Sequence, residues 1–179
     1  MLVHEIAEQI AAKKPTLFRR ALVFAGSFDP FAIHHREIVE QLLALKTLML
    51  RIDPTVPVDV VVWPIGAYAN KQQTASAEAR RAMLEAGLGD LEVTKKFDDL
   101  EHDHLGYTST YQMQAELCRR AREDLCQEYF AYRSLTMLTE VWHVIGADNV
   151  EQIKEWNEGF RLWQNARFII VARPDPLPR

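Results

Sequence analysis

The sequence predicts an α/β fold: a parallel sheet flanked by helices. Two observations predict it. Short apolar runs of strand length alternate with stretches whose apolar residues recur every three or four positions. Glycine or proline closes three of those runs, at Gly26, Pro64 and Gly146. Alternating strands and helices imply a parallel sheet with right-handed crossovers. Ligands of such sheets bind beyond the carboxyl ends of the strands, where these turn residues stand.

The elements follow in order. Ile6, Ile10 and Ala11 share one side of a helix over residues 3–14, within an N-terminal helical segment taken as 1–18. Arg20-Ala-Leu-Val-Phe-Ala25 reads as a short buried strand, broken by Gly26-Ser-Phe-Asp-Pro30. Ile38, Leu42, Leu45 and Met49 recur at helical spacing between His35 and Leu50. Val58-Asp-Val-Val-Val-Trp63 is apolar nearly throughout, as a strand covered on both faces is. Ser76 is placed to cap a helix running to about Leu88. Leu91-Glu-Val-Thr94 predicts a weak third strand. A polar loop through Glu101, His102, Asp103 and His104 follows, then a long helix over roughly 108–131. Glu140-Val-Trp-His-Val-Ile145 is a strand stopped by Gly146, short helices occupy about 149–163, and Arg167-Phe-Ile-Ile-Val-Ala172 is the last strand.

Composition narrows the function. A chain of 179 residues is read as a single domain, 1–179, with room for a real core. Its formal net charge of −4 argues against a nucleic-acid partner, which calls for a basic face. A mononucleotide site needs only a few local cations. Cys118 and Cys126 stand eight apart, about 12 Å along a helix axis, too far for a disulfide. They fit no zinc spacing and read as reduced thiols. The N-terminus lacks the apolar run of a signal peptide, and no stretch reaches membrane-span length. The expectation is a cytoplasmic protein without a membrane partner; homo-oligomerisation is left open.

Ala25-Gly-Ser-Phe-Asp-Pro-Phe-Ala-Ile-His-His35 carries the first chemistry. Gly26 lets backbone approach a ligand closely. The helix start near His34 aims unpaired N–H groups and a partial positive charge at whatever lies there. Two imidazoles at that place can donate to phosphate oxygens; the alternative is a polar helix start with two solvated histidines. Lys71 taken alone reads as a solvated lysine, Thr108 as a helix cap, and Trp156 as a core anchor or a flat face for an aromatic ligand.

Gly26-Ser27-Phe28-Asp29-Pro30 followed by His35 resembles the signature Gly-(Ser/Thr)-Phe-Asp-Pro-x-His-x-Gly-His of the nucleotidylyltransferase superfamily. The first signature histidine falls on Ala32, the glycine on His34, and His35 holds its place. Trp63-Pro64, Lys71 and Arg80-Arg-Ala-Met-Leu84 resemble that superfamily's second strand, lysine-bearing loop and following helix. Tyr107-Thr108 resembles the Ser-Tyr-Thr element of the nicotinate/nicotinamide mononucleotide adenylyltransferases. Val144-Ile-Gly-Ala-Asp-Asn149, Trp156 and Arg173-Pro174 resemble the later motifs of the nicotinate/nicotinamide mononucleotide adenylyltransferases in particular. Their Ser-(Ser/Thr)-Thr-x-x-Arg run does not occur in these 179 residues.

The resemblance implies a Rossmann-like nucleotidylyltransferase fold and a reaction between ATP and a pyridine mononucleotide that forms a dinucleotide and pyrophosphate. It implies that His35 and Lys71 neutralise phosphate charge. Gly26, Ser27, Phe28, Asp29, His34, Gly146, Asp148 and Arg173 would surround the nucleotide. The backbone at Thr108 would meet the pyridine end, Trp156 would stack on that ring, and Arg80 would brace the site. Mg²⁺ would arrive with ATP, without a protein metal cage. Two alternatives stand beside this reading: a nucleotide-binding relative with little turnover, and another nucleotidylyltransferase of the superfamily.

Overall fold

Side-chain alternation along two strands builds both halves of the core. The computed structural model describes residues 16–66, 73–101, 108–128, 137–156 and 158–172. Strands β1 (Thr16–Gly26), β2 (Val58–Pro64), β3 (Thr94–Lys95), β4 (Met137–Gly146) and β5 (Arg167–Val171) form one parallel sheet in the order β3-β2-β1-β4-β5. Helices are α1 (Ile33–Ile52), α2 (Ala77–Leu88), α3 (Asp98–Glu101), α4 (Thr110–Glu128) and α5 (Gly159–Asn165). Two 3-10 turns, Ala147–Asn149 and Ile153–Glu155, follow β4.

Leu22 and Phe24 of β1 pack with Val60 and Val62 of β2 against Val39, Leu42, Leu84 and Leu88 of α1 and α2. Their neighbours Ala21, Val23, Val61 and Trp63 face the other way, onto Met113 of α4. Period-two alternation thus feeds a helix layer on each face of the sheet. Each fully buried aliphatic contributes about 1.5–3 kcal/mol to folding.

The expected α/β architecture is present, with differences at element ends. Residues 16–18, expected inside an N-terminal helix, belong to β1, because Thr16 and Leu17 pair with Met137 and Leu138 of β4. Residues 1–15 lie outside the described chain. The third strand is Thr94–Lys95 rather than 91–94. The Leu91 N–H bonds to the Leu88 carbonyl and the Val93 N–H to that of Leu91, so this segment turns before reaching Val61 and Val62. Ser76 caps α2 as expected, its Oγ accepting the Ala79 N–H at 3.2 Å.

Helix α4 starts at Thr110, and its cap is Ser109, not Thr108. Ser109 Oγ accepts the Gln112 N–H at 3.3 Å, and Gln112 Oε1 accepts the Ser109 N–H at 2.8 Å. This is a reciprocal capping box. The Thr108 side chain is engaged elsewhere. His102, His104 and residues 129–131 lie outside the described chain. Among the described residues, no helix is long and apolar enough to cross a membrane.

The register sets the ligand rim. Gly26 is opposite Pro64, Phe24 opposite Val144, and Gly146 opposite Val171. The three strand-ending residues therefore share one edge of the sheet.

Candidate nucleotide-binding site

Chain order reverses between β1 and β4, since β2 and β3 extend from one side and β5 from the other. That switch point leaves a crevice at the carboxyl edge, where open α/β sheets bind ligands. A cleft of about 1040 Å³ opens there. Gly26 to Pro30 line it from β1, Gly146, Asp148 and Asn149 from β4, and Ile169 to Ala172 from β5. His34, His35, Glu37, Ile38 and Gln41 line it from α1. The volume is at the upper end of small-molecule sites, roughly 300–1,000 Å³.

His35 occupies the first turn of α1. Its Nδ1 accepts the Ala32 N–H at 2.9 Å, so in the neutral ring the proton sits on Nε2. That Nε2 lies 3.1 Å from Nε2 of His34. The rings of Phe24, Phe28 and Phe31 surround His35 with centroids 6.1, 5.3 and 5.5 Å away. The first turn of α1 holds no acidic residue, so nothing there cancels the positive end of the helix. Arg36 anchors the same turn by bonding to the Gly87 carbonyl at 2.7 Å and to both Asp90 oxygens. Those bonds hold the Asp90 carboxyl down at about 2.

The loop before α1 is braced from below. Phe28 is a buried non-glycine residue with φ +46°, in the left-handed region, and its ring sits edge-on to Phe24. Asp29 turns away from the α1 start. Its carboxylate accepts the N–H groups of Thr74 and Ala75 and the Thr74 hydroxyl. The Thr74 N–H chiefly, helped by its hydroxyl, the Ala75 N–H and the Arg80 charge, holds the Asp29 carboxyl below its usual range. The buried Arg80 donates to the carbonyls of Ser27 (3.1 Å) and Ile65 (2.7 Å), joining the turns after β1 and β2. Arg80 is thus the brace that the sequence implied.

Comparison with known proteins places the sequence in a family. The sequence model of the cytidylyltransferase-like family matches residues 23–178. The chain belongs to that family. It is 26% identical over 168 residues to a probable nicotinate-nucleotide adenylyltransferase of Methylacidiphilum infernorum (isolate V4), covering 93% of this chain and 70% of the relative. It is 24% identical over 157 residues to a protein of the same name from Acholeplasma laidlawii (strain PG-8A), covering 85% and 66%. In fold it is similar to Plasmodium falciparum nicotinic acid mononucleotide adenylyltransferase complexed with NaAD, with a TM-score of 0.58 at 19% identity, covering 88% of this chain and 66% of that one.

Within this family fold, Asp148 folds back over Gly146 in the turn after β4. A Cβ on Gly146 would stand 2.4 Å from Asp148 Oδ1, so the carboxylate occupies the space that a side chain would fill. Trp156 is half-buried and does not line the cleft. With Tyr111 of α4 it packs against Ile145, Ile153 and Leu162. Its carbonyl accepts the Gly159 N–H at 2.8 Å. Thr108 lies away from the cleft too, its N–H and hydroxyl both donating to the buried Asp99 carboxylate, at 2.7 and 2.5 Å.

The structure therefore gathers Gly26, Ser27, Phe28, Asp29, His34, His35, Gly146 and Asp148 around one cleft. Thr108 and Trp156 sit outside its lining, and Lys71 and Arg173 lie outside the described residues. Sequence reading missed Glu37, Ile38 and Gln41. The signal was present, because positions 34, 38 and 41 share one face of a helix. It also missed Asp99, an acidic residue in a polar stretch with nothing in its spacing to mark burial.

Proposed function

We propose that this protein transfers the adenylyl group of ATP to a pyridine mononucleotide, forming a dinucleotide and pyrophosphate in NAD biosynthesis. One observation carries the reading: two imidazole Nε2 atoms 3.1 Å apart converge at an uncompensated helix start, inside a cleft at the switch point of the sheet. That arrangement suits a polyphosphate. The names of the curated relatives support nicotinate mononucleotide as the partner substrate.

In this reading an oxygen of the mononucleotide phosphate attacks the α-phosphorus of ATP, and the bond to pyrophosphate breaks. The nucleophile is already an anion, so no strong general base is required. The protein's work is alignment and neutralisation of charge moving onto the leaving group. His35 donates from Nε2 to the phosphates, His34 stands beside it, and the N–H groups of the α1 start contribute the rest. Gly26 admits the nucleotide close to backbone. Asp148 and Asn149 face it from β4. Lys71 supplies a further cation, Arg173 contributes to holding the nucleotide, and Trp156 and Thr108 meet the pyridine nucleotide. Mg²⁺ enters as part of the ATP substrate, held by phosphate oxygens and water.

The test is pyrophosphate release with ATP and Mg²⁺, with and without nicotinate or nicotinamide mononucleotide. Release that requires one mononucleotide is the expected result; release independent of both refutes the reading. A second reading, a nucleotide-binding relative with little turnover, is favoured by Ala32, which has no side-chain donor where the signature has histidine. Each missing transition-state donor costs on the order of 3 kcal/mol, about a hundredfold in rate. ATP binding without pyrophosphate release identifies that case.

A further inference from the structure

We propose that Asp99 is a positioning residue for the pyridine mononucleotide, setting the wall that receives the second substrate without touching it. The inference rests on the adenylyl-transfer reading above. Asp99 is 6% exposed, and its carboxylate collects four neutral donors. Oδ1 accepts the Trp63 indole N–H at 3.4 Å and the Thr108 hydroxyl at 2.5 Å. Oδ2 accepts the Gly66 N–H at 3.4 Å and the Thr108 N–H at 2.7 Å. Burying a carboxylate among neutral donors has a desolvation cost that an apolar residue would not incur. What the carboxylate offers here is two acceptor atoms, each able to hold donors from separate elements.

The elements that Asp99 ties together face the ligand rim. Gly66 is two residues past the end of β2, and the neighbouring Ile65 N–H bonds to the Gly26 carbonyl at 2.9 Å. Thr108 leads into α4, whose first turn carries Tyr111, packed with Trp156 on one apolar cluster. A path therefore runs from Gly66 through Asp99 and Thr108 to the apolar cluster on which Tyr111 and Trp156 both pack. Gly66, Thr108, Tyr111 and Trp156 are all absent from the lining of the histidine cleft. Moving this wall should disturb one substrate and spare the other.

Calorimetry of Mg·ATP and nicotinate mononucleotide, each titrated separately into wild type, Asp99→Ala, Asp99→Asn and Thr108→Val, tests this. Asp99→Ala leaves four donors without their acceptor, so mononucleotide affinity falls about tenfold or more while ATP affinity stays within about twofold. In Asp99→Asn the amide oxygen can take both backbone N–H groups and the amide N–H can donate to the Thr108 hydroxyl, so that only the long bond from the Trp63 indole N–H loses its acceptor. That variant keeps mononucleotide affinity within about threefold of wild type. Thr108→Val deletes only the hydroxyl bond and serves if Asp99→Ala does not fold; its mononucleotide affinity falls about three- to tenfold. Unchanged mononucleotide affinity in Asp99→Ala or Thr108→Val, or equal losses for both ligands, overturns the proposal. A wild-type protein that binds ATP but neither mononucleotide refutes adenylyl transfer itself, and the role of Asp99 falls with it.

Discussion

At the residue scale, His35 is held through one ring nitrogen and turns the other toward the cleft. The Ala32 N–H occupies Nδ1, which directs the Nε2 proton toward His34 and the cleft. His35→Ala removes that donor and also the acceptor for the Ala32 N–H. We expect ATP affinity to fall by about 1–3 kcal/mol, the usual worth of a charge-assisted hydrogen bond. Calorimetry showing unchanged affinity would place the phosphates elsewhere. The place of His35 at the cleft was legible in the sequence because it follows a glycine turn at the end of a strand. Asp99 was not, since burial of a carboxylate depends on donors that the fold brings to it, from Trp63 and Gly66, 36 and 33 positions away, beside Thr108. The pairing of Asp29 was hidden for the same reason: its partners, Thr74 and Ala75, stand 45 and 46 positions away.

At the element scale, the order of strands and helices was legible because apolar periodicity is local. The ends were not, because pairing and capping decide them. The apolar run of β1 begins at Ala21, yet the strand extends to Thr16 because β4 offers partners that far down. Conversely, β3 shrinks to two residues where a turn consumes its first N–H groups. Where a cap was read correctly its worth is measurable. Ser76→Ala removes the acceptor for the Ala79 N–H, and should lower stability by about 1 kcal/mol in urea melts. A shift below a few tenths would mean that water replaces the cap. The segment after β4 predicts a larger effect. A Cβ on Gly159 would lie 1.9 Å from the Ile153 carbonyl oxygen, with backbone rather than a flexible side chain in the way. Gly159→Ala must therefore displace the turn that carries Trp156, and should cost more than about 2 kcal/mol by the same assay. Near-neutral stability would show that the α5 start relaxes freely.

At the scale of the whole molecule, the doubly covered sheet that was legible in the sequence has a consequence that was not: it buries an ionisable ring. His143 sits inside β4, in a run that reads as a plain apolar strand, and is 2% exposed. Its Nε2 is 3.3 Å from Gln114 Oε1 of α4, and its ring packs near Phe168 of β5. Neither neighbour carries a charge that could stabilise an imidazolium. Burial therefore lowers the His143 pKa from its ordinary 6.5 to about 4. The unfolded chain then binds a proton more readily than the folded one wherever pH lies between those values. Stability contributed by the neutral ring is complete above pH 6.5 and drains away as pH falls toward 4. Across that window the loss is on the order of 3 kcal/mol. Carboxylates also titrate near its lower end, so the comparison must be differential. His143→Gln removes the ionisable group while keeping a polar partner for Gln114. Urea midpoints measured for both proteins from pH 7 to pH 4 should show wild type losing stability more steeply than the variant, with the gap opening below pH 6.5. Parallel curves would mean that His143 is charged in the folded protein, and that the sheet opens to water at the middle of β4.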